Sequence, residues 1–227
     1  MMATSNSGKP DKGLRATVIG MVAFVVIVGI GFTLMTNHSK SVLKLPASVS
    51  KADGFGIVFN PTAKPVIDIW EDFQCPVCQR FEAINSTYIN QVVAAGKAKV
   101  VFHPMSFIGQ ESVLAANAAA CANDQGKFLA YHTLLYQNQS PTENSGKVTA
   151  DFLTQLGKAG GISGSNFSGC VNNMSYQNWT KNIEADAASK NINSTPTVFV
   201  NGKEIDRKTQ YMDPVAFQAV LAAGGVK

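Results

Sequence analysis

Hydrophobic positions along the chain change their spacing repeatedly. The first pattern is an unbroken apolar run, Ala16 to Met35, 20 residues without a charge. At 1.5 Å per residue it spans about 30 Å, the thickness of bilayer hydrocarbon, so it reads as a transmembrane helix. A signal-peptide core is shorter, about 7–15 residues, and is followed by a small-residue cleavage site. Here Thr36-Asn37-His38-Ser39-Lys40 follows instead, and an uncleaved signal-anchor is expected. Residues 1–15 are then a polar tail and residues 36–53 a stalk.

The second pattern is strand-like. Gly56 to Phe59 and Val66 to Trp70 are short apolar runs, the latter suited to a strand buried on both faces. Phe81, Ile84, Tyr88 and Val92 then step by three and four, which is helical, and Ala98 to Phe102 reads as the next strand. The order β-α-β implies a parallel pairing. From about residue 107 to 190 the period is helical throughout, with segments at Glu111–Gln125, Lys127–Gln139, Phe152–Leu156, Phe167–Val171 and Tyr176–Lys190. Strand character returns at Thr197 to Val200, followed by the hairpin turn Asn201-Gly202 and a return strand at Lys203–Ile205. Asp213-Pro214 opens a final helix as N-cap and N1, with Val215, Phe217, Val220 and Leu221 as its apolar face. The expected fold is α/β, with a helical insertion between two halves of one sheet.

Composition narrows the function. A net charge of +4 is too mild to imply nucleic acid, and 45% hydrophobic with 15% charged residues excludes a disordered polyelectrolyte. Positive charges flank the apolar run almost evenly, with Lys9, Lys12 and Arg15 before it and Lys40, Lys44 and Lys51 after it, so they do not fix orientation. The four cysteines favour an oxidising side for the large C-terminal part, with the N-terminus cytoplasmic and the remainder extracytoplasmic.

Two of those cysteines carry chemistry. Cys75-Pro76-Val77-Cys78 lies between the buried strand and the helix. With Pro76 at N1, Cys75 is the N-cap, and its sulfur faces the unpaired N–H groups of Val77 and Cys78 and the positive helix end. Both favour thiolate; lowering a thiol from about 8.5 to 7 or below is worth roughly 2 kcal/mol. The thiolate is the attacking species in disulfide exchange, and Cys78, one turn further in, could resolve a mixed disulfide. A zinc site would need four ligands, and no second Cys-x-x-Cys or His pair is present. A strained structural disulfide within the turn and a pair of unreacted core thiols are the remaining alternatives.

Around this pair the chain resembles the DsbA-like branch of the thioredoxin superfamily, and most of all the membrane-anchored thiol-disulfide oxidoreductases of Gram-positive bacteria and actinobacteria. The resemblance covers about residues 54–226. It rests on Glu71-Asp72-Phe73-Gln74-Cys75-Pro76-Val77-Cys78, the helical insertion, and Ser194-Thr195-Pro196-Thr197 leading to Phe199-Val200-Asn201-Gly202. It implies a thioredoxin fold with a DsbA-like domain over 54–227, and a cis-Pro loop at Thr195-Pro196 that holds the substrate backbone beside Cys75. It also implies cysteine-bearing exported proteins as substrates and a quinone-linked membrane protein, DsbB-like or VKOR-like, as reoxidant. Strong oxidants of the family often have His where Val77 stands, so a reductase or isomerase role stays in play, as does a non-catalytic binding or chaperone module.

Glu71 and Asp72 stand close to Cys75. A buried carboxylate there could relay a proton, Glu71 ahead of Asp72, or the two could cap and solvate the loop. His103 and His132 lack a partner motif and read as structural or surface residues. Cys121 and Cys170 both fall in the insertion, 49 residues apart. A structural disulfide is expected there, worth about 4 kcal/mol by chain entropy; buried thiols or a second redox relay are the rivals. No cofactor or metal is expected, and no dimerisation region stands out beyond the stalk, so a monomer is expected.

Overall fold

The computed structural model describes residues 43–227, which form one unit. The expected membrane helix at 16–35 and the tail before it lie outside the described residues. Among the described residues no helix is long and apolar enough to cross a membrane. Residues 43–53, read from the sequence as the end of a stalk, instead pack on the domain. Pro46 is buried, Leu45 and Val49 lie against the core, and the Ala47 amide donates to Asp124 Oδ1 at 2.9 Å. Apolar residues spaced through a short polar segment are enough to seat it.

Five strands make one sheet in the order β1-β3-β2-β4-β5. They are β1 (Ile57–Phe59), β2 (Val66–Asp72), β3 (Lys99–Met105), β4 (Thr197–Val200) and β5 (Lys203–Glu204). β2 and β3 run parallel, in register from Val66↔Lys99 to Asp72↔Met105, as a β-α-β crossover requires. β4 flanks β2 on its other side and β1 flanks β3, both antiparallel. β2 is therefore central, which accounts for its nearly continuous apolar character. The β4–β5 hairpin turns on Asn201 and Gly202, both at positive φ (50° and 78°), the geometry Asn-Gly adopts most readily.

Helix α1 (Pro76–Ala94) connects β2 to β3. Its buried stripe is Cys78, Phe81, Glu82, Asn85, Ile89, Val92 and Val93, while Ile84 and Tyr88 are only half-buried. The stripe is thus rotated from the apolar positions and includes polar residues that hydrophobic spacing overlooks. Helices α2 (Gln110–Asp124), α3 (Phe128–Gln137), α4 (Ala150–Ala159), α5 (Ser165–Asn172) and α6 (Gln177–Ser189) form the insertion between β3 and β4. α4 starts two residues earlier than its apolar pattern, because Thr149 caps it through the Phe152 amide at 3.2 Å. α7 (Pro214–Ala223) is capped by Asp213, whose Oδ1 accepts from Val215 N and Ala216 N. Phe217 and Leu221 are buried, but Val215, expected on the apolar face, is 74% exposed, since it sits in the first turn before the helix meets the core.

A disulfide joins Cys121 in α2 to Cys170 in α5, with Cα atoms 5.9 Å apart. Replacing both with Ala opens a 49-residue loop and should lower unfolding free energy by about 4 kcal/mol in a denaturant titration of the otherwise oxidised protein. An unchanged midpoint would show that this closure adds nothing to stability.

Candidate active site

The buried strand β2 ends at Asp72, and after three intervening residues α1 begins at Pro76. Cys75 occupies the N-cap with extended backbone (φ −71°, ψ 119°), followed by Pro76 at N1. Cys75 and Cys78 are both free thiols. Cys75 is 8% exposed and Cys78 is fully buried, while Val77 between them is half-exposed. The short turn therefore leaves Cys75 near the surface and takes Cys78 wholly into the core.

The two sulfurs differ in acidity accordingly. Cys75 is lowered to about 6, chiefly by the adjacent Cys78 thiol, against an opposing penalty from burial, with Thr195 and then the Cys78 and Val77 amides adding to the shift. The sequence expectation had the helix N–H groups leading; the structure puts the neighbouring thiol first. As a neutral thiol Cys75 makes no capping bond and instead donates to the Thr195 carbonyl at 3.6 Å. Cys78 is raised well above the ordinary thiol range, by burial first and then by Cys75 and Glu71. At pH 7 a group of pKa about 6 is thiolate over thiol by about tenfold.

Beneath the sulfurs lies a buried acid cluster. Glu71, near the end of β2, is in hydrogen-bond contact with His132 of α3 (Oε1···Nε2 2.6 Å), and His132 Nδ1 faces Glu82 Oε2 of α1 at 3.7 Å. Burial raises Glu71 to about 8 and Glu82 well above the usual carboxylate range, and it depresses His132. The Glu71 Oε2, Glu82 Oε1 and Tyr136 hydroxyl oxygens are buried without a hydrogen-bond partner among the described residues. The ligand-type atoms of Glu71, Glu82 and His132 lie within 4.8 Å of one another. The 2.6 Å contact, however, joins Glu71 and His132 directly to each other, so the arrangement fits shared protons rather than a cation. The sequence reading had left His132 as structural or surface; it is buried and in contact with Glu71.

Asp72 takes the second role that the sequence allowed it, capping the loop. Its Oδ1 accepts from the Gln74 amide (2.9 Å) and Ser112 Oγ (2.6 Å), and its Oδ2 accepts from the Ile108 amide (3.3 Å). Burial raises it to about 6 despite these bonds. Gln74 Nε2 donates to Ser112 Oγ, its Oε1 accepts from the Asn144 amide, and Gln139 donates to the Phe73 and Cys75 carbonyls at 2.8 and 3.0 Å. The loop that carries Cys75 is thereby tied to the insertion.

Across from it, Thr195-Pro196 is a cis peptide just before β4. Arg207 bonds both Ser194 Oγ and Thr197 Oγ1, and Thr197 Oγ1 in turn donates to the Ser194 carbonyl. These bonds bracket Thr195 and Pro196 and fix the carbonyl that faces Cys75. His103 is buried against the sheet, stacked on Trp70 at 3.7 Å and bonded to Asp68 at 3.2 Å, a structural residue away from the sulfurs.

A family model described as thioredoxin matches residues 57–218. The chain belongs to the thioredoxin family. Among curated proteins it is similar to disulfide bond formation protein D of Bacillus subtilis, 28% identical over 146 residues, 62% of this chain and 64% of that one. Against another curated relative, from Rickettsia typhi, the match is 28% identical and covers 58% of this chain. The chain spans 49% of the Rickettsia typhi protein's length and 64% of the Bacillus subtilis protein's. Among solved structures, its fold is similar to MdbA, a thiol-disulfide oxidoreductase from Actinomyces oris, with TM-score 0.69 and 22% identity, over 79% of this chain and 92% of that one. BdbD from Bacillus subtilis gives 0.63 and 23%, over 81% and 97%. The DsbA-like resemblance read from the motifs thus extends to the fold.

Sequence reasoning missed Glu82, His132, Ser112 and Gln139. Glu82 had a signal: it lies four residues after Cys78, on the same helix face. The other three come from the insertion and announce themselves only when it folds over the loop.

Two outcomes test this geometry. Cys78→Ala should move the pH midpoint of Cys75 alkylation by iodoacetamide from near 6 toward 9, further than Thr195→Ala moves it. An unmoved midpoint would refute the neighbouring-thiol cause. The second concerns stability. Glu71 holds its proton up to about 8 in the native state, against an ordinary value of 4.5. The native state thus binds more protons at Glu71 between those values, so this group's contribution to stability is fully present below 4.5 and is lost as pH rises through 8. In denaturant titrations at pH 5 and pH 8, Glu71→Gln should flatten that decline; an equal slope in the variant would contradict it.

Proposed function

We propose that the chain is an extracytoplasmic protein-disulfide oxidoreductase, tethered by its N-terminal helix, that introduces disulfides into exported proteins. The observation that carries this reading is the opposite acidity of two adjacent thiols: Cys75, 8% exposed at a helix N-terminus, is held acidic, and Cys78, fully buried beside it, is held basic. Thiol-disulfide exchange needs this division between a group that attacks and leaves and one that waits.

In the oxidised protein a substrate thiolate attacks Cys75 Sγ. The Cys75–Cys78 bond breaks, its electron pair goes to Cys78, and the buried Cys78 thiolate takes a proton from Glu71, which is protonated at neutral pH. A second substrate thiolate then attacks the substrate sulfur of the mixed disulfide. The substrate disulfide forms and Cys75 departs as a stable thiolate. Two electrons pass from the substrate dithiol to the pair. Thr195 and Pro196 would lie along the substrate backbone, with the Thr195 carbonyl already aimed at Cys75. A quinone-linked membrane protein, DsbB-like or VKOR-like, would reoxidise the pair, and the chain would act as a monomer.

The direction follows from the acidity. A stabilised Cys75 thiolate favours the reduced form of the pair, which makes the disulfide oxidising. This weighs toward an oxidase even though Val77 stands where strong oxidants carry His. A redox titration should therefore give a potential nearer about −120 mV than −270 mV; the lower value would instead favour a reductase. Cys75→Ser should abolish oxidation of a dithiol peptide, whereas the Cys75 thiolate of Cys78→Ser, given a peptide disulfide, should attack it and remain as a mixed disulfide with no Cys78 to resolve it. A wild-type protein that oxidises no dithiol, together with a Cys75→Ser variant that binds unfolded substrate as the wild type does, would leave only a binding module.

A further inference from the structure

Glu71 cannot be the end of the proton path, because it is itself buried with no route of its own to water. Resting on the oxidoreductase reading, we propose that His132 and Glu82 carry the Cys78 proton between Glu71 and solvent, through a surface cleft between α1 and α3.

The placement supports each step. His132 presents Nε2 to Glu71 at 2.6 Å and Nδ1 to Glu82 at 3.7 Å, one nitrogen toward each carboxyl. An imidazole so placed accepts a proton at one nitrogen and releases one at the other. The rings of Phe73, Phe102, Phe128 and Tyr136 pack around His132, with centroids 5.1–5.5 Å away, and shield the imidazole from water. Glu82 is the way out. It lines a cleft of about 350 Å³ together with Gln79, Ala83, Thr133, Tyr136 and Gln137. Its Oε1 is buried without a hydrogen-bond partner among the described residues, so the carboxyl group is free to hold a proton in transit to the cleft.

The ionisable groups that face this path come from three elements. β2 contributes Glu71 and Asp72; Cys75 caps α1, which contributes Cys78 and Glu82; α3 contributes His132 and Tyr136. Asp72 is occupied by the loop amides and Ser112, and burial keeps the Tyr136 hydroxyl protonated. Glu71, His132 and Glu82 are left to move the proton.

The two half-reactions use the path in opposite directions. When substrate attacks Cys75, the S–S electron pair leaves on Cys78, Glu71 protonates it, and a proton enters from the cleft through Glu82 and His132 to restore Glu71. When the reduced pair is reoxidised, Cys75 attacks the reoxidant's disulfide. Glu71 first releases its own proton through His132 and Glu82 to the cleft; Cys78 then gives its proton to the emptied Glu71 and attacks Cys75, which leaves Glu71 protonated for the next turnover. The imidazole returns to its starting tautomer once per cycle.

His132 and Glu82 act through Glu71, so they are positioning residues for proton traffic. The test uses the full chain with Glu71→Gln, Glu82→Gln and His132→Gln. Two rates are followed against pH: oxidation of a dithiol peptide by the oxidised protein, and iodoacetamide alkylation of Cys75 in the reduced protein. A direct acid–base group is worth roughly 10²–10⁴ in rate, and a group one step removed less, so Glu82→Gln and His132→Gln should each slow peptide oxidation about tenfold at pH 7. Cys75 alkylation should keep its rate within about twofold. Glu82→Ala opens the cleft further, and added formate should restore its oxidation rate in proportion to concentration, a response that a folding defect would not show. Should Glu82→Gln and His132→Gln oxidise peptide like the wild type while Glu71→Gln is slow, the path is overturned and the oxidoreductase reading stands. If the wild-type protein does not oxidise dithiols, both fall together.

Discussion

Charge is costly where water cannot reach it, and this molecule sets that cost differently for two sulfurs one helical turn apart. Cys78 lies wholly inside the core, so its anion is suppressed. Cys75 sits at the rim, where a neighbouring thiol, Thr195 and two helix amides outweigh its partial burial. Burial alone would raise both thiols. The Cys78 hydrogen bond to Cys75, set against the deeper burial of Cys78, produces one reactive anion and one concealed proton.

The fold imposes the inequality from below and from above. β2, flanked by β3 and β4, carries the chain out of the centre of the sheet and delivers Cys75 at its C-terminal end. Pro76 starts the helix at once, so Cys78 enters the core within a turn. The insertion then folds over the loop. Asp72, Gln74, Ser112, Asn144 and Gln139 tie the approach to Cys75 to α2 and to the segment after α3. The same burial that suppresses the Cys78 anion also loads Glu71 and Glu82 with protons. A buried leaving group and a buried acid are therefore two results of one desolvated environment.

Much of this was legible in the residues. The continuous run at Val66–Trp70 identified the central strand, because a strand between two neighbours is apolar on both faces. Asn201-Gly202 and Asp213-Pro214 marked a turn and a cap whose backbone requirements few other residues meet. Cys75 could be placed at a helix N-cap because Pro76 follows it. What stayed hidden depended on long-range packing. The rotation of the α1 stripe toward Glu82 and Asn85 breaks the rule that buried means apolar, and His132 meets Glu71 only through a contact spanning 61 residues. Val215 erred the other way: an apolar residue in a helix's first turn looked buried and faces solvent. The departures at Glu82 and His132 gather beside Glu71, where chemistry rather than packing sets the residue type.

The account stands on the separation between the two sulfur acidities, and the ultraviolet thiolate absorbance of the reduced protein, followed from pH 4 to pH 9, measures it most directly. One thiolate should appear with a midpoint near 6, and the second should remain a thiol throughout that range. Two thiolates rising together near the value of an ordinary cysteine would contradict it.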